Sequence, residues 1–258
     1  MSLAAQDWNP GTYARFRGLR LRPALDLLAQ VGDLPPGDVV DLGCGDGAVV
    51  EALRARFPDR RLIGVDASPA MLRVAAGYDA KVLADIATWH PDSPPALIFS
   101  NAALQWLGDH DRLLPHLAGL LAPGGCLAVQ MPRQYGAPSH ALLRDLAAAM
   151  FPDRFEFSDW RPAVLPAPDY WPILAPLGPV DLWETEYLQQ LDPATEGHPV
   201  RRFTESTALR PYLDKLTASE AVAFVAAYDA ALEAAYPRLP DGAALMPFRR
   251  LFFTLSRI

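Results

Sequence analysis

Between Asp38 and Met131, short apolar and β-branched runs alternate with longer stretches of helical period, and few architectures accommodate that rhythm. "DVVDL" (38–42), "RLIGV" (61–65), "AKVLA" (80–84), "ALIFS" (96–100) and "CLAVQM" (126–131) read as strands. "AVVEALRARF" (48–57), "SPAMLRVAAG" and residues 110–121 read as helices. The second of these has Ser68 as N-cap, Pro69 in the first turn and Gly77 as its stop. Pro123, Gly124 and Gly125 form a tight turn feeding the fifth strand. Strands separated by helices of this length are joined by crossovers, so the sequence predicts an α/β fold with a parallel sheet covered on both faces.

The texture changes after Met150. Residues 152–179 hold seven prolines, a density unsuited to a helix or a central strand. "VDLWETEYLQQ" (180–190) then alternates like a strand. "TASEAVAFVAAYDAALEAAYP" opens with a capping box, Thr217 to Glu220, and reads as an amphipathic helix to about Tyr236. "FRRLFFTLSR" reads as a final strand. The expected layout is an N-terminal lid or helical segment (1–36), a core (37–150), a proline-rich and helical insertion with one core strand near 180–190 (151–240), and a final core strand (241–258). The insertion is expected to lie over the carboxyl edge of the sheet as a lid, with Tyr170 and Trp171 in its core.

Charge narrows the partners. The 258 residues carry 23 basic and 30 acidic side chains, a formal charge of −7. There is no block of Lys or Arg, which argues against a nucleic-acid backbone as partner. Lys81 and Lys215 are the only lysines, so Arg, the better bidentate partner for carboxylates, supplies nearly all the positive charge. Cys44 and Cys126 have no zinc-type spacing and read as small buried residues. With no apolar run approaching a membrane span and no signal-type leader, the expectation is a cytoplasmic protein with no membrane partner.

The stretch "VVDLGCGDGA" carries the chemistry. Gly43, Gly45 and Ala48 satisfy G-x-G-x-x-G/A, and Asp66 follows at the end of the next strand, about 20 residues on. That spacing suits a dinucleotide, but the charges do not. A pyrophosphate would meet Asp41 and Asp46, each like-charge contact costing on the order of 1 kcal/mol or more at ~5–6 Å. S-adenosylmethionine has no phosphate, and its methionine end carries an ammonium and a sulfonium. The glycines then allow close approach of an amino acid and an adenosine, and Asp66, with Ala67 beside it, is placed for the ribose hydroxyls. The bland alternative for Asp66 is a turn or N-cap aspartate.

"VVDLGCGDG", "LIGVDASPAML", "VLADI", "LIFSNAALQWL" and "LLAPGGCLAVQMP" resemble, in order and spacing, the successive motifs of class I S-adenosylmethionine-dependent methyltransferases over residues 38–132. The resemblance implies a Rossmann-like, seven-stranded, mostly parallel sheet with an antiparallel last strand. It implies that Asp85 and Ile86 contact the adenine, and that Asn101 and Ala102 lie along the methionyl part of the cofactor. The flanks "WNPGTYARFRGLRLRPALDLL", "NAALQWLGDH" and "LRPYLDKLTASE" resemble the trans-aconitate 2-methyltransferase family, which esterifies one carboxylate of a small tricarboxylic acid.

A carboxylate is already ionised at neutral pH, so alignment rather than a general base would supply the rate. No catalytic base and no metal are therefore expected. None of the five histidines falls in a catalytic or metal-binding arrangement, and His110 and His116 read as helix-surface residues. A polycarboxylate does need cationic clamps. The candidates are Arg133, Arg210 and Arg20, with Arg22 assigned to the cofactor carboxylate. Gln105 and Trp106 follow the fourth strand where acceptor contacts start, with a core anchor as the alternative for Trp106. Trp8 is expected over the cofactor and Tyr13 over the bound acid, lid packing being the alternative. Arg201 and Arg202 form an extra basic pair with no assigned role. A monomer or weak homodimer is expected. The competing readings are methylation of another carboxylate such as a malonyl thioester, a nicotinamide-dependent oxidoreductase, and a non-catalytic cofactor-binding domain.

Overall fold

The computed structural model describes residues 17–205 and 207–258, with side chains from residue 21 onward. After helix α1 (Arg17–Ala29) the chain alternates β1 (Val39–Leu42), α2 (Val50–Arg56), β2 (Leu62–Asp66), α3 (Pro69–Val74), β3 (Ala80–Leu83), β4 (Leu97–Asn101), α4 (His110–Leu120) and β5 (Cys126–Pro132). Next come α5 (Pro138–Met150), α6 (Ala167–Leu174), β6 (Val180–Leu191), α7 (Pro199–Thr204), α8 (Arg210–Leu213), α9 (Ala218–Ala235) and β7 (Ala244–Ser256). The seven strands form one sheet in the order β3-β2-β1-β4-β5-β7-β6. β1 to β5 pair in parallel, and β7 runs antiparallel to β5, with Pro132 opposite Arg250 and Gln130 opposite Phe252. The expected seven-stranded α/β sheet with its reversed last strand is therefore present.

The burial pattern follows from this order. Val39, Val40 and Leu42 of β1 and Leu97, Ile98 and Phe99 of β4 are wholly buried, as continuous apolar runs in a central parallel sheet must be. β3, at one end, alternates between half-buried and exposed. α1 and α4 both pack against β5.

The chain divides into two compact units, one comprising residues to Pro132 with Ala163–Thr185 and Arg250–Ile258, the other Arg133–Pro162 with Glu186–Arg249. The second unit is held by α5 and α9. Tyr228 donates from its hydroxyl to the Ser139 carbonyl at 2.6 Å, and the Ser139 N–H donates to the Tyr236 hydroxyl at 3.1 Å. The Phe224 ring stacks on Tyr212 and meets Phe151 at a tilt.

Three local expectations are corrected. α3 stops at Val74 rather than running to Gly77, because Lys81 Nζ binds the Leu72 and Ala75 carbonyls at 2.6 and 2.9 Å and satisfies the helix end early. The proline-rich stretch does hold a helix, α6, whose Pro168 sits in the first turn where no N–H is required. Trp171 on that helix is 53% exposed and is no core residue, whereas Tyr170 is wholly buried.

The capping box is present. Thr217 accepts from the Glu220 N–H, and the Glu220 carboxylate accepts from the Thr217 N–H at 2.8 Å. Glu220 also pairs with Arg154. Replacing Thr217 by Ala should lower stability by about 1 kcal/mol, read as a lower urea midpoint with an unchanged slope.

Candidate cofactor and acceptor site

The glycine loop leaves the carboxyl end of β1, where elementary sterics fix its sequence. Gly43 has φ +80°, and a Cβ there would sit 2.2 Å from the Ala103 Cβ, so nothing larger fits. Gly45 has φ +55° and faces open space, with no atom within 4 Å of where a Cβ would lie. The first glycine closes the loop against the turn after β4, and the other leaves the loop surface bare.

Asp66 ties the loop to the tip of β2. Its Oδ2 accepts from the Gly45 N–H at 2.8 Å and its Oδ1 from the Ser68 N–H at 2.8 Å. Ser68 in turn caps α3 through Met71 N. The turn role considered for Asp66 is therefore real, yet two hydrogen bonds leave lone pairs on both oxygens for hydroxyl donors. Ala67 beside it is exposed. Asp85, also exposed, holds the Ala87 N–H at 2.9 Å. Ile86 is buried with its Cδ1 3.3 Å from the Gly43 Cβ position.

Asp41 is buried beneath the loop, and its Oδ2 accepts from the Tyr78 hydroxyl at 2.5 Å. Burial pushes its carboxyl up to about 7 against the lowering effect of Tyr78, and the charge of Asp66 pushes the same way. The Cys44 thiol is pushed up by burial and by both acids, so it is an inert neighbour.

At the carboxyl end of β4, Asn101 is followed by Ala102 in the left-handed region, φ 55°. Ala102 N–H donates to the Gln130 carbonyl at 2.9 Å, and Gln105 Nε2 donates to the Ala102 carbonyl at 2.6 Å. Three side-chain atoms here are buried without a hydrogen-bond partner: Asn101 Oδ1, Gln105 Oε1 and Gln130 Nε2. Trp106 is 40% exposed, which removes the core-anchor alternative.

His110 corrects another expectation, being buried rather than on the helix surface. A carbonyl can only accept, so Nε2 donates to Leu104 O at 3.0 Å and Nδ1 accepts from the Tyr170 hydroxyl at 2.7 Å. Desolvation holds this ring below its ordinary pKa. It pins the 104–106 turn through the Leu104 carbonyl.

The expected arginines are dispersed. Arg133 and Arg249 line a cavity of about 620 Å³ in the second unit, with Glu186, Tyr236 and Leu245. Arg210 is not among its lining residues and lies 4.0 Å from Asp214, the C-cap of its helix, and is more than half exposed. Arg22 is exposed on α1, 3.9 Å from Asp26. Arg20 lies on the same helix, without a described side chain, and Trp8 and Tyr13 lie outside the described residues. Arg201 belongs to a structural network with Asp229 and Glu205. Sequence reading missed Tyr78, Gln130 and Arg250. For Gln130 there was a signal, a lone amide in the apolar run "CLAVQM"; for the other two there was none.

These features fit S-adenosylmethionine. A bare glycine loop, a buried acid and an orphaned acceptor at Asn101 suit an adenosine joined to a cationic amino acid. Among the described residues no three His, Cys, Asp or Glu side chains are grouped to hold a metal ion, and no helix is long and apolar enough to cross a membrane.

A profile of the methyltransferase domain family matches residues 13–176. The trans-aconitate 2-methyltransferase of Methylobacterium radiotolerans is 44% identical over 95% of this chain and 96% of its own. The chain belongs to the trans-aconitate 2-methyltransferase family. That of Yersinia pseudotuberculosis is 43% identical over 96% of this chain and 97% of its own. Among solved structures, geranyl diphosphate C-methyltransferase from Streptomyces coelicolor, in complex with S-adenosyl-L-homocysteine, aligns with TM-score 0.51 at 18% identity. It covers 96% of this chain and 82% of that one, a likeness of fold.

The methyltransferase carries an acid whose charge depends on pH. A folded pKa of about 7 against an ordinary 3.8 means that Asp41 favours the folded state fully below about pH 4, a contribution lost as pH rises through about 7. Stability of the ligand-free protein should therefore fall over that window, and Asp41→Asn should flatten the fall in thermal melts at stepped pH. Asp66→Ala should weaken S-adenosylhomocysteine binding by roughly 1–3 kcal/mol in calorimetry.

Proposed function

We propose that the protein transfers a methyl group from S-adenosylmethionine to one carboxylate of trans-aconitate, giving the monomethyl ester and S-adenosylhomocysteine. For the acceptor, the supporting observation is that the likeness to trans-aconitate 2-methyltransferases runs nearly the whole length of the chain, loops and insertion included. For the donor, the support is the acid beneath the glycine loop. A phosphate at that loop would meet the carboxylates of Asp41 and Asp46, which disfavours the oxidoreductase reading.

When bound, S-adenosylmethionine supplies an electrophilic methyl group on a sulfonium. The chain's residues then have three tasks. Asp66 and Asp85 hold the adenosine through its hydroxyl and amine donors, while Ile86 supplies an apolar wall. Asp41 and Asn101 neutralise and orient the amino-acid end. Gln105 and Trp106, on the turn pinned by His110, flank the acceptor. No side chain need remove a proton, because the attacking carboxylate is ionised at working pH. The neutral, hydrogen-bonded state of His110 agrees with that economy. Rate comes from holding nucleophile and methyl in line and excluding water.

Arg133 and Arg210 are proposed to bind acceptor carboxylates by charge-assisted hydrogen bonds. The match to the relatives covers 95% of this chain, as it would for an acid shared with them. Arg20 and Tyr13 keep their proposed roles toward the acid, and Arg22 and Trp8 theirs toward the cofactor. The small acid is the only partner the reading requires, and the cytoplasm is the proposed setting.

The reading is tested by measuring S-adenosylhomocysteine release across a panel of small di- and tricarboxylic acids. Trans-aconitate should give the highest kcat/KM, and turnover of a malonyl thioester in preference to it would displace the proposal. Arg133→Ala should raise the acceptor KM by about tenfold or more, the loss of one charged hydrogen-bonded contact. Its S-adenosylhomocysteine affinity should stay near that of the parent.

A further inference from the structure

Gln130 is anomalous where it stands. The strand β5 is otherwise apolar from Cys126 to Met131 and wholly buried at its centre, and Gln130 itself has no exposed surface. Its Oε1 accepts from Arg250 Nη1 at 3.2 Å. With the oxygen committed to a guanidinium, the amide can face only one way, and its NH₂ is turned to the other side. That Nε2 is buried and has no hydrogen-bond partner. Proteins rarely keep a buried donor unmet, and one retained in a central strand needs a reason.

The register shows where this donor lies. Asn101 of β4 stands opposite Gln130 of β5, and Phe252 of β7 opposite Gln130. Arg250 is two residues from Phe252, so the pleat puts Asn101, Gln130 and Arg250 on one face of the sheet. Arg250 is 4% exposed. It engages other groups as well; the unmet donor belongs to the amide. Passing along the sheet, the lining changes from an unmet acceptor on β4 to an unmet donor on β5 and a buried cation on β7. Acceptors suit an ammonium, whereas an amide N–H beside a guanidinium suits a carboxylate.

We propose that Gln130 and Arg250 form a carboxylate subsite for the acceptor, one that recognises a carboxylate other than the one being methylated and so favours a tricarboxylic acid over a shorter diacid. This rests on the polycarboxylate reading above and adds the residues that select within that class. The direction of the sheet assigns the subsite to the acceptor. The ribose acid is on β2, the glycine loop on β1 and the methionyl side on β4. β5 and β7 come next, roughly 5 and 10 Å further on at the usual strand spacing. A site built to hydrogen-bond a group discriminates strongly against an analogue lacking it, because its own polar atoms are then left unpaired.

The test uses the full chain saturated with S-adenosylhomocysteine, into which trans-aconitate and a dicarboxylate lacking one carboxymethyl arm are titrated by calorimetry, with steady-state KM for both acids alongside. Gln130→Leu removes the donor at similar volume, and Arg250→Lys keeps the charge but not the fork; thermal melts establish that each folds. Either substitution should weaken trans-aconitate binding by about tenfold or more while changing the dicarboxylate, and S-adenosylhomocysteine itself, by less than about twofold. Equal losses for S-adenosylhomocysteine would assign the pair to the cofactor and overturn the proposal. So would unchanged affinity for trans-aconitate, or equal losses for both acids. A parent protein that neither binds nor methylates any polycarboxylate would remove the functional reading first. Methylation by the parent with variants indistinguishable from it would sink the subsite alone.

Discussion

A carboxylate buried under a glycine loop, held by one tyrosine hydroxyl, is the constraint on which the site depends. Asp41 sits in a strand whose other residues are wholly buried, and water is excluded from it. Charge there is costly until a cation arrives, and Tyr78 moderates that cost through a single short hydrogen bond. A phosphate would aggravate the cost and an ammonium relieves it. The rest of the cofactor surface follows from this choice. Asp66 ties the loop to its own turn through the Gly45 and Ser68 N–H groups, Gly43 closes against Ala103, and Gly45 remains open. The loop thus resembles the dinucleotide pattern in spacing and opposes it in charge.

Beyond the loop, the sheet distributes chemistry by strand. Acids stand at the tips of β1 and β2, an unmet amide oxygen ends β4, and an amide N–H with a guanidinium spans β5 and β7. A reaction that joins a cationic donor to an anionic acceptor needs such a gradient and little else. No proton has to move, and the buried histidine nearest the turn is tied up on both nitrogens. On the proposed reading the enzyme is a positioning device whose selectivity is electrostatic.

Most of the fold was legible because its signals are local. Each βα unit announces itself through period, caps and turn residues, and the antiparallel last strand came with the family resemblance. Element ends were less legible. α3 is cut short by Lys81, which reaches its carbonyls from a neighbouring strand, and no window on residues 68–77 contains that fact. α6 forms among prolines because Pro166 is its N-cap and Pro168 falls in its first turn, although Pro172 lies within it and the pattern reads as helix-breaking. At the candidate site, the glycine loop and the strand-end acids are positions that spacing proposes and the fold brings to neighbouring strands. Tyr78, His110 and Arg250 were not legible, since each acquires its role from a partner between 6 and 120 positions away. Gln130 alone left a trace, as a polar letter where the pattern called for an apolar one.

Ala102 carries a less obvious consequence. A residue with a Cβ held at φ 55° costs roughly 1–2 kcal/mol, and the bonds from its N–H to Gln130 and from Gln105 to its carbonyl hold it there. The tension is thus stored before any ligand comes, in the folding of the crest between β4 and β5. On the proposed reading, docking reactants would meet a latch already cocked, with none of their binding energy diverted into bending it.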